Sequence, residues 1–417
     1  MAEILLDVGV MFAAVALAGA VASRLRQSVI PFYIVAGILI GPWVLGRSDE
    51  WLGFDAPHIA VNEFIEVGAE LGIVFLLFFL GLEFSLDRFL ENKERIGKAG
   101  TVDLLNLAVG FILGLVFFFV WGSENADAVV SVVAAVLVAG IVYISSSAII
   151  TKSLIDLGWI ANDESEPMLG ILVYEDLFVA LYLAVISALL LGSGGLSEAA
   201  LDIGVAVGFI LGLLVLVYYG TAFFQRFLDV RTKEATVLRA VGLVVLVAGA
   251  ALALGVSEAV AAFFVGMAFA GTEHVEEIES LLEPLRDVFA AIFFFWIGLE
   301  TDPTLVAPVA GLLAVAVLVT TPVKFGTGFV GARFYDLNTK RSTRVGLGMV
   351  TRGEFSLIIA SVAVSAEGVF DAPIVTETVP AFAVAYVLVM SVLGTTLMRY
   401  SGWFERFVAA REKESTS

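Results

Sequence analysis

The sequence contains no cysteine and only two histidines among its 417 residues. Without cysteine the chain forms no disulfide bond, no thiolate-ligated zinc site and no thiol nucleophile. His58 and His274 both lie in polar connecting segments, where solvated loop side chains are expected, so a histidine metal site is not indicated either. We therefore predict a protein with no cofactor and no resident metal ion.

Charged residues are also scarce, and the basic ones are scarcer than the acidic ones. Asp, Glu, Lys and Arg make up 16% of the chain, and 23 basic against 42 acidic residues give a formal net charge of −19. Nucleic-acid binding needs a basic face, so this balance argues against it. Apolar residues instead make up 60% of the sequence and give a mean hydropathy of +0.99. Because soluble domains are about 45–50% apolar, this composition predicts a protein embedded in membrane lipid.

Apolar segments of the length that crosses a bilayer, roughly 17–25 residues, recur along the whole chain. They lie at about 4–23, 29–46, 64–84, 101–121, 128–151, 168–191, 203–224, 237–254, 257–271, 287–300, 305–333, 344–366 and 379–398. We predict an all-α polytopic membrane protein of about 13 transmembrane helices. Residues 1–399 would form the membrane domain and residues 400–417 a cytoplasmic tail.

The distribution of basic residues tests this count of spans. With the N-terminus outside, all but three of the 23 Lys and Arg residues fall on one side of the membrane. Arg47 falls on the other side, and Lys324 and Arg352 lie within spans. A miscounted span would move every later loop to the wrong side, and cytoplasmic loops carry the excess of basic residues. We therefore expect thirteen spans in the plasma membrane, with the N-terminus outside and the C-terminus in the cytoplasm.

Two sequence patterns recur at an offset of seven spans. The third span ends in Phe-Leu-Gly-Leu-Glu at 79–83, and the tenth ends in Trp-Ile-Gly-Leu-Glu at 296–300. A pair of glycines in the second span recurs in the ninth. These are Gly37 and Gly41, then Gly266 and Gly271. Chance explains either match alone, but the shared offset favours a repeat. Because seven is odd, the second copy must be inverted relative to the first, as in many secondary transporters.

The repeat also pairs the fifth span with the twelfth, and polar residues interrupt both. The fifth holds Ser145, Ser146 and Ser147, and the twelfth holds residues 351–354, Thr-Arg-Gly-Glu. Such interruptions are tolerated at membrane depth where the backbone lines a cavity or is buried in protein. They predict two broken helices whose free ends face an ion, although small residues also favour simple helix packing.

We single out five of the ionisable side chains within the predicted spans. They are Glu175, Asp176, Lys324, Arg352 and Glu354. A charge at the centre of a bilayer is costly, so each marks a functional site by default, although Arg352 and Glu354 could also form a structural ion pair. A buried lysine releases its proton more readily than a solvated one, whereas arginine stays charged. We expect Lys324 to pair with Asp176 and Arg352 to serve as a permanent countercharge.

The two adjacent carboxylates cannot both face one point, because neighbours on a helix point about 100° apart. We expect Asp176 to face the ion and Glu175 to face a partner. Hard cations take oxygen ligands, which the hydroxyls of Ser145–Ser147 and Thr151 and freed carbonyls of the fifth span would supply. Competition of a cation and a proton for one carboxylate then predicts obligatory exchange of one for the other.

At these residues the chain resembles the monovalent cation:proton antiporter-2 family, in particular its Kef-type potassium/proton branch. The likeness runs over nearly the whole chain. The matching strings are Gly37–Pro42, Phe78–Glu83, Ser145–Ile149, Tyr174–Asp176, Phe293–Gly298, Lys324 and Gly353–Phe355. The resemblance implies an antiporter fold with two crossed broken helices and a homodimer built from a dimerisation domain and a moving core domain. It further implies that Asp176 binds the ion, that Lys324 is the family's lysine, and that the core moves like an elevator.

Two residues depart from the Kef-type pattern. Glu175 stands where Kef-type members have Gln and where sodium exchangers with an acidic pair have Asp, and Arg352 stands where a small residue is expected. Kef-type proteins also often carry a regulatory domain after the membrane domain. Here only a short polar segment follows Arg399, so we expect such regulation either to be absent or to lie on a separate cytoplasmic subunit.

The leading hypothesis is secondary antiport of a monovalent cation, with K⁺ favoured, against protons. Exchange of Na⁺ for protons, with an electrogenic stoichiometry left open, is the alternative within this class. A cation channel is a third interpretation, but a conduction path favours rings of carbonyls or of like charges over a lysine among carboxylates. An intramembrane enzyme is the most distant, because the predicted spans contain no cysteine, no histidine and no metal motif.

Overall fold

The computed structural model describes residues 2–25, 27–48, 58–83, 86–121, 127–159, 161–191, 223–230, 232–254, 258–366 and 372–406, with residues 208, 211, 212 and 215. Every regular element among them is helical. In chain order we label α1 (Ala2–Leu25), α2 (Ile30–Ile40), α3 (Glu63–Glu83), α4 (Leu86–Asp103), α5 (Leu105–Val116), α6 (Ala128–Tyr143), α7 (Ser147–Asp156), α8 (Ser165–Leu191), α9 (Lys233–Ala253), α10 (Glu258–Ala270), α11 (Val275–Glu300), α12 (Val306–Arg333), α13 (Thr339–Gly348), α14 (Glu354–Ser365) and α15 (Val379–Arg399).

Eight helices in the described part of the chain are long and apolar enough to cross a membrane. Three shorter apolar helices add to them, at residues 128–143, 258–270 and 354–365. These eleven elements correspond to eleven of the predicted spans, and the tenth span forms the second half of the longer, partly acidic helix α11. Most of the seventh span, 203–224, lies outside the described residues, as do residues 407–417 of the predicted tail. The expected all-α polytopic membrane fold is confirmed.

Two helices begin earlier than their apolar runs suggest. The tenth span was predicted to start at 287, but α11 starts at Val275, because Ile278 and Leu282 bury one face of its otherwise acidic first turns. The fourth span was predicted to start at 101, but α4 starts at Leu86 and leads into α5. Ile96 and Ala99 bury one face there while the charged residues line the other. The second of these shifts moves Asp103 from the end of a span to its interior.

The repeated glycines make the same contact twice. A Cβ placed on Gly37 of α2 would lie 3.0 Å from the Cα of Gly298 in α11 and would overlap the Phe295 carbonyl oxygen. A Cβ placed on Gly266 of α10 would lie 2.8 Å from the Cα of Gly81 in α3. The repeat maps Gly37 onto Gly266 and Gly298 onto Gly81. The second contact is therefore the inverted copy of the first, which confirms the predicted repeat.

The fifth and twelfth spans are both broken, as the sequence predicted. Extended residues 144–146 separate α6 from α7, and residues 349–353 separate α13 from α14. The two breaks meet, because the amide of Ser146 donates to the carbonyl oxygen of Thr351 over 3.3 Å. Their meeting point lies in the interior of the molecule, where Ser145, Ser146, Thr351 and Arg352 are all fully or almost fully buried.

Candidate functional site

The carbonyl ends of two half-helices converge on Arg352. Its Nε donates to the carbonyl oxygen of Val142 over 2.8 Å, in the last turn of α6. Its Nη1 donates to the carbonyl oxygens of Met349, Val350 and Thr351 over 2.9–3.0 Å, just after α13 ends. Helix C-termini carry a partial negative charge of roughly half an electron each, so one guanidinium nearly balances two of them. The sequence interpretation of Arg352 as a permanent countercharge agrees with this position.

The amide ends of the other two half-helices converge on a carboxylate. Glu354 is the first residue of α14, and its Oε2 accepts a hydrogen bond from the Ser146 hydroxyl over 2.6 Å. The Ser146 oxygen in turn accepts from the amide of Ile149, in the first turn of α7. Negative charge is favourable beside helix N-termini. Glu354 therefore matches the two amide ends as Arg352 matches the two carbonyl ends.

Lys324 lies in the middle of α12 and is fully buried, and its ammonium group contacts three acceptors. Its Nζ donates to Asp103 Oδ2 over 2.6 Å, to Glu175 Oε1 over 2.7 Å and to the Tyr143 carbonyl oxygen over 2.9 Å. Three acceptors match the three N–H donors of a charged lysine. The Tyr143 ring also lies 5.2 Å from Nζ, so one face of the ammonium is covered by an aromatic surface.

Asp103 is the buried charged residue of this cluster that the sequence analysis did not identify. Its side chain is fully buried, and its Oδ1 accepts hydrogen bonds from Asn106 Nδ2 over 3.0 Å and from the Thr327 hydroxyl over 2.8 Å. Asn106 also donates to Thr327 over 2.9 Å, which closes a small network between α5 and α12. A carboxylate within an apolar run is a signal that could have identified Asp103. Because the residue lay near the predicted start of the fourth span, it was not interpreted as a charge at membrane depth.

Glu175, in α8, faces the first helix break. Its Oε2 accepts from the Ser145 amide over 2.6 Å, and its Oε1 accepts from the Ser145 hydroxyl over 3.1 Å as well as from Lys324. The Ser145 hydroxyl also lies 3.1 Å from the Met349 carbonyl oxygen of the second break. Glu175 thus connects the lysine to the crossing of the broken helices.

Asp176 points to a different part of the break from its neighbour, as expected for adjacent residues on a helix. Its side chain is almost fully buried, and its Oδ1 lies 3.5 Å from the hydroxyl of Ser147, the first residue of α7. Thr151 follows Ser147 by one turn of the same helix and is half-buried. An amide end of a helix, a hydroxyl and a carboxylate thus occur together at Asp176, which is the setting expected for an exchangeable cation or proton.

One expected contact is corrected by the structure. Lys324 was expected to pair with Asp176, but its two carboxylate ion pairs among the described residues are with Asp103 and Glu175. The reason is geometric, because the 100° step along α8 directs Glu175 toward α12 and directs Asp176 toward α7. The structure brings the remaining expected residues, Ser145–Ser147, Arg352 and Glu354, to the same crossing.

Comparisons with known proteins agree with this geometry. The profile of the family described as sodium/hydrogen exchanger, transmembrane, matches residues 10–401. The chain is 35% identical to the K(+)/H(+) antiporter subunit KhtU of Bacillus subtilis (strain 168), over 96% of this chain and 94% of that protein. It is 27% identical to the ammonium/H(+) antiporter subunit AmhT of Alkalihalophilus pseudofirmus, over 95% and 93%. It is 28% identical to the Na(+)/H(+)-K(+) antiporter GerN of Bacillus cereus, over 87% and 88%.

A solved structure shares the fold. The sodium proton antiporter MjNhaP1 from Methanocaldococcus jannaschii superposes with a TM-score of 0.70 at 14% sequence identity, over 94% of this chain and 100% of that chain. At this identity the likeness concerns the fold, and the family match carries the assignment. The resemblance to cation:proton antiporters stated from the sequence is thereby confirmed, and the chain belongs to the sodium/hydrogen exchanger family.

Proposed function

We propose that this protein exchanges a monovalent cation, with K⁺ preferred, for protons across a membrane by alternating access. The observation that carries the proposal is the burial of Asp176 beside the first turn of α7, with Ser147 directed at its carboxylate. A carboxylate at membrane depth is costly until a positive charge neutralises it. A cation and a proton each neutralise Asp176, but not together, so the site crosses loaded with one or the other.

The surrounding groups supply the other parts of the exchange. Hydroxyls of Ser145, Ser146, Ser147 and Thr151 offer oxygen ligands of the kind a dehydrated alkali cation takes. Lys324, paired with Glu175, supplies the charge with which an arriving cation competes. Arg352 and Glu354 neutralise the ends of the broken helices, so that these charges stay with the protein and are not exchanged.

We propose K⁺ as the preferred cation because of the similarity of the chain to a K⁺/H⁺ antiporter subunit. KhtU is described as a K(+)/H(+) antiporter subunit and covers nearly the whole chain. GerN and MjNhaP1 are described as antiporters that carry Na⁺, which makes Na⁺/H⁺ exchange the second candidate. The acidic pair of Glu175 and Asp176 fits neither the Gln-Asp nor the Asp-Asp pattern, so this pair is where the preference is decided.

The proposal includes an arrangement in the cell. The protein would lie in the plasma membrane as a homodimer, with its N-terminus outside and its C-terminus in the cytoplasm, and it would carry out no enzymatic reaction. The helices of the core, which hold the two breaks, would move against a dimerisation domain within residues 1–399. The word subunit in the names of KhtU and AmhT supports a separate partner chain in the cytoplasm.

The test uses purified protein in liposomes that enclose a pH-sensitive dye, with K⁺, Na⁺ or Li⁺ added in turn to the outside. Antiport predicts that the added cation drives protons out, that the rate saturates, and that K⁺ gives the lowest KM. Proton movement driven by Na⁺ alone would support the second candidate. Cation conductance at fixed pH, with no opposite movement of protons, would indicate a channel and would overturn the proposal.

A further inference from the structure

Asp103 is a fully buried carboxylate that the exchange proposed above does not use. It ends α4, and its one ion pair among the described residues is with Lys324, whose Nζ lies 2.6 Å from its Oδ2. A buried carboxylate is costly in a membrane protein, and this one forms an ion pair with a lysine of the site. Its position beside Lys324 therefore indicates that Asp103 influences the position and the charge interactions of the lysine ammonium.

Lys324 is shared between two carboxylates that lie on different helices. Asp103 approaches from α4, whereas Glu175 approaches from α8, the helix that also carries Asp176. A cation that binds at the acidic pair competes with Lys324 for the oxygens of Glu175. When it displaces the lysine there, the bonds of Nζ to Asp103 and to the Tyr143 carbonyl oxygen remain.

Asp103 is itself held in place, so it acts as a fixed point for the lysine. Its second carboxylate oxygen accepts from Asn106 and from Thr327. Thr327 lies three residues from Lys324 on α12, and its hydroxyl oxygen is also 3.1 Å from the Lys324 carbonyl oxygen. Movement of the Asp103 carboxylate would therefore have to break a network that spans α4, α5 and α12, so Asp103 offers the Lys324 ammonium a fixed acceptor.

We propose that Asp103 is a positioning residue that shares Lys324 with Glu175 and thereby sets the affinity of the site for the transported cation. The inference rests on the proposed exchange and adds a residue that acts through the lysine without touching the ion. Loss of the Asp103 charge weakens cation binding in two ways. The lysine is left with Glu175 as its one carboxylate, and the site loses one of three negative charges that attract a cation.

The test measures KM for the cation and the maximal rate separately, in liposomes, at an alkaline pH where few protons compete. The cation is the one that drives proton movement in the unsubstituted protein. Asp103→Asn is expected to raise KM roughly tenfold or more, because one buried unit charge at this range is worth at least a factor of ten. A merely structural role would reduce the amount of active protein, and so the maximal rate, without moving KM.

Three variants make the result decisive. Asp103→Glu keeps the charge and is expected to restore KM to within about threefold of the original value. Asp336→Asn makes the same chemical change on an exposed side chain and is expected to leave KM unchanged. Asp103→Ser removes the charge with a smaller side chain, and it replaces the Asn variant, with the same expected increase, if that variant does not give folded protein.

Two outcomes would overturn the inference while leaving the proposed function intact. One is an unchanged KM in a folded protein that lacks the Asp103 charge. The other is an equal increase in the Asp103→Glu variant, which would assign the effect to packing. Absence of any cation-driven proton movement in the unsubstituted protein would instead refute the proposed function, so the two failures are distinguishable.

Discussion

Arg352 and Val142 join the two broken helices through a hydrogen bond of 2.8 Å between positions 210 residues apart. Val142 lies in the last turn of one half-helix, and Arg352 follows the end of the half-helix that belongs to the inverted copy. Because the guanidinium also binds three carbonyl oxygens of its own segment, one side chain holds both carbonyl ends. Arg352 thereby fixes the crossing of the two broken helices. Hydrogen bonds from Ser145 then hold the Glu175 carboxylate at this crossing.

Replacement of Arg352 by Gln is expected to destabilise the protein strongly. The substitution leaves buried carbonyl oxygens of both breaks without a donor, and each such group costs about 1–3 kcal/mol. We expect a loss of about 3–5 kcal/mol, measured as a lower midpoint of thermal unfolding in detergent. Arg95→Gln is the matched control, because Arg95 is exposed and its ion pair with Asp336 lies at the surface. Equal effects of the two substitutions would contradict the assignment.

The inverted repeat makes a prediction about glycine. Ala at Gly266 would overlap the Phe78 carbonyl oxygen, and Ala at its repeat equivalent Gly37 would overlap that of Phe295. Both substitutions are expected to cost about 3 kcal/mol or more, because two helix backbones must move apart.

Gly249 provides the control for these two substitutions. It lies within α9 and has no atom within 4 Å of an added Cβ, so Gly249→Ala should stabilise the protein by about 0.5–1 kcal/mol. Unfolding midpoints of the three variants measure the difference. If Gly266→Ala and Gly37→Ala behave differently from one another, the two contacts are not equivalent copies.

Glu175 is expected to influence which cation is carried more than whether one is carried. Glu175→Gln keeps a group that accepts from the Ser145 amide but removes the charge that binds Lys324. We expect proton movement to persist with an altered ratio of KM values for K⁺ and Na⁺. The measurement is dye-detected proton movement with each cation over a range of concentrations. A variant indistinguishable from the unsubstituted protein would make Glu175 a structural residue.

The fold could be predicted from the sequence because its signals are redundant. Apolar length, the side of the basic residues and an odd offset between two matching strings all led to the same arrangement of spans. The repeat places Gly266 where Gly37 lies in the first copy and Gly81 where Gly298 lies. A contact between Gly37 and Gly298 therefore implies a second contact between Gly266 and Gly81. The polar interruptions also predicted where the helices break. Backbone groups without hydrogen-bond partners are costly in a membrane, so a broken helix occurs only where the protein satisfies them.

The pairing of charges could not be predicted in the same way. Which of two adjacent carboxylates faces Lys324 depends on the rotation of α8, and no sequence pattern fixes that rotation when the helix is apolar on all sides. Asp103 was missed because the charged turns before it ended the apolar run, although the helix continues through them. The offset of seven spans also pairs the eleventh span, which holds Lys324, with the fourth. Searching the fourth span for a charged residue would have identified Asp103.

Glu405 leads to a prediction about pH. Burial alone raises the pKa of this carboxyl, but the hydrogen bond and charge of Arg344, with Lys340, outweigh it and hold the pKa below its ordinary value. A lowered folded pKa stabilises the protein above the unfolded pKa of about 4.3, and this contribution is lost as the pH falls through the folded value. We expect the unfolding midpoint of Glu405→Gln to depend less on pH between neutral and strongly acid conditions. An unchanged pH dependence would contradict the ion pair.

Proton movement by the Asp176→Asn variant tests the central claim most directly. Asn has nearly the size of Asp and still accepts a hydrogen bond from Ser147, but it neither binds a proton nor carries charge. The measurement is K⁺-driven proton movement in liposomes, with the unsubstituted protein and Asp336→Asn as references and with unfolding midpoints showing that each protein is folded. The account predicts that exchange is abolished in Asp176→Asn and retained in both references. Retained exchange in folded Asp176→Asn protein would contradict the account.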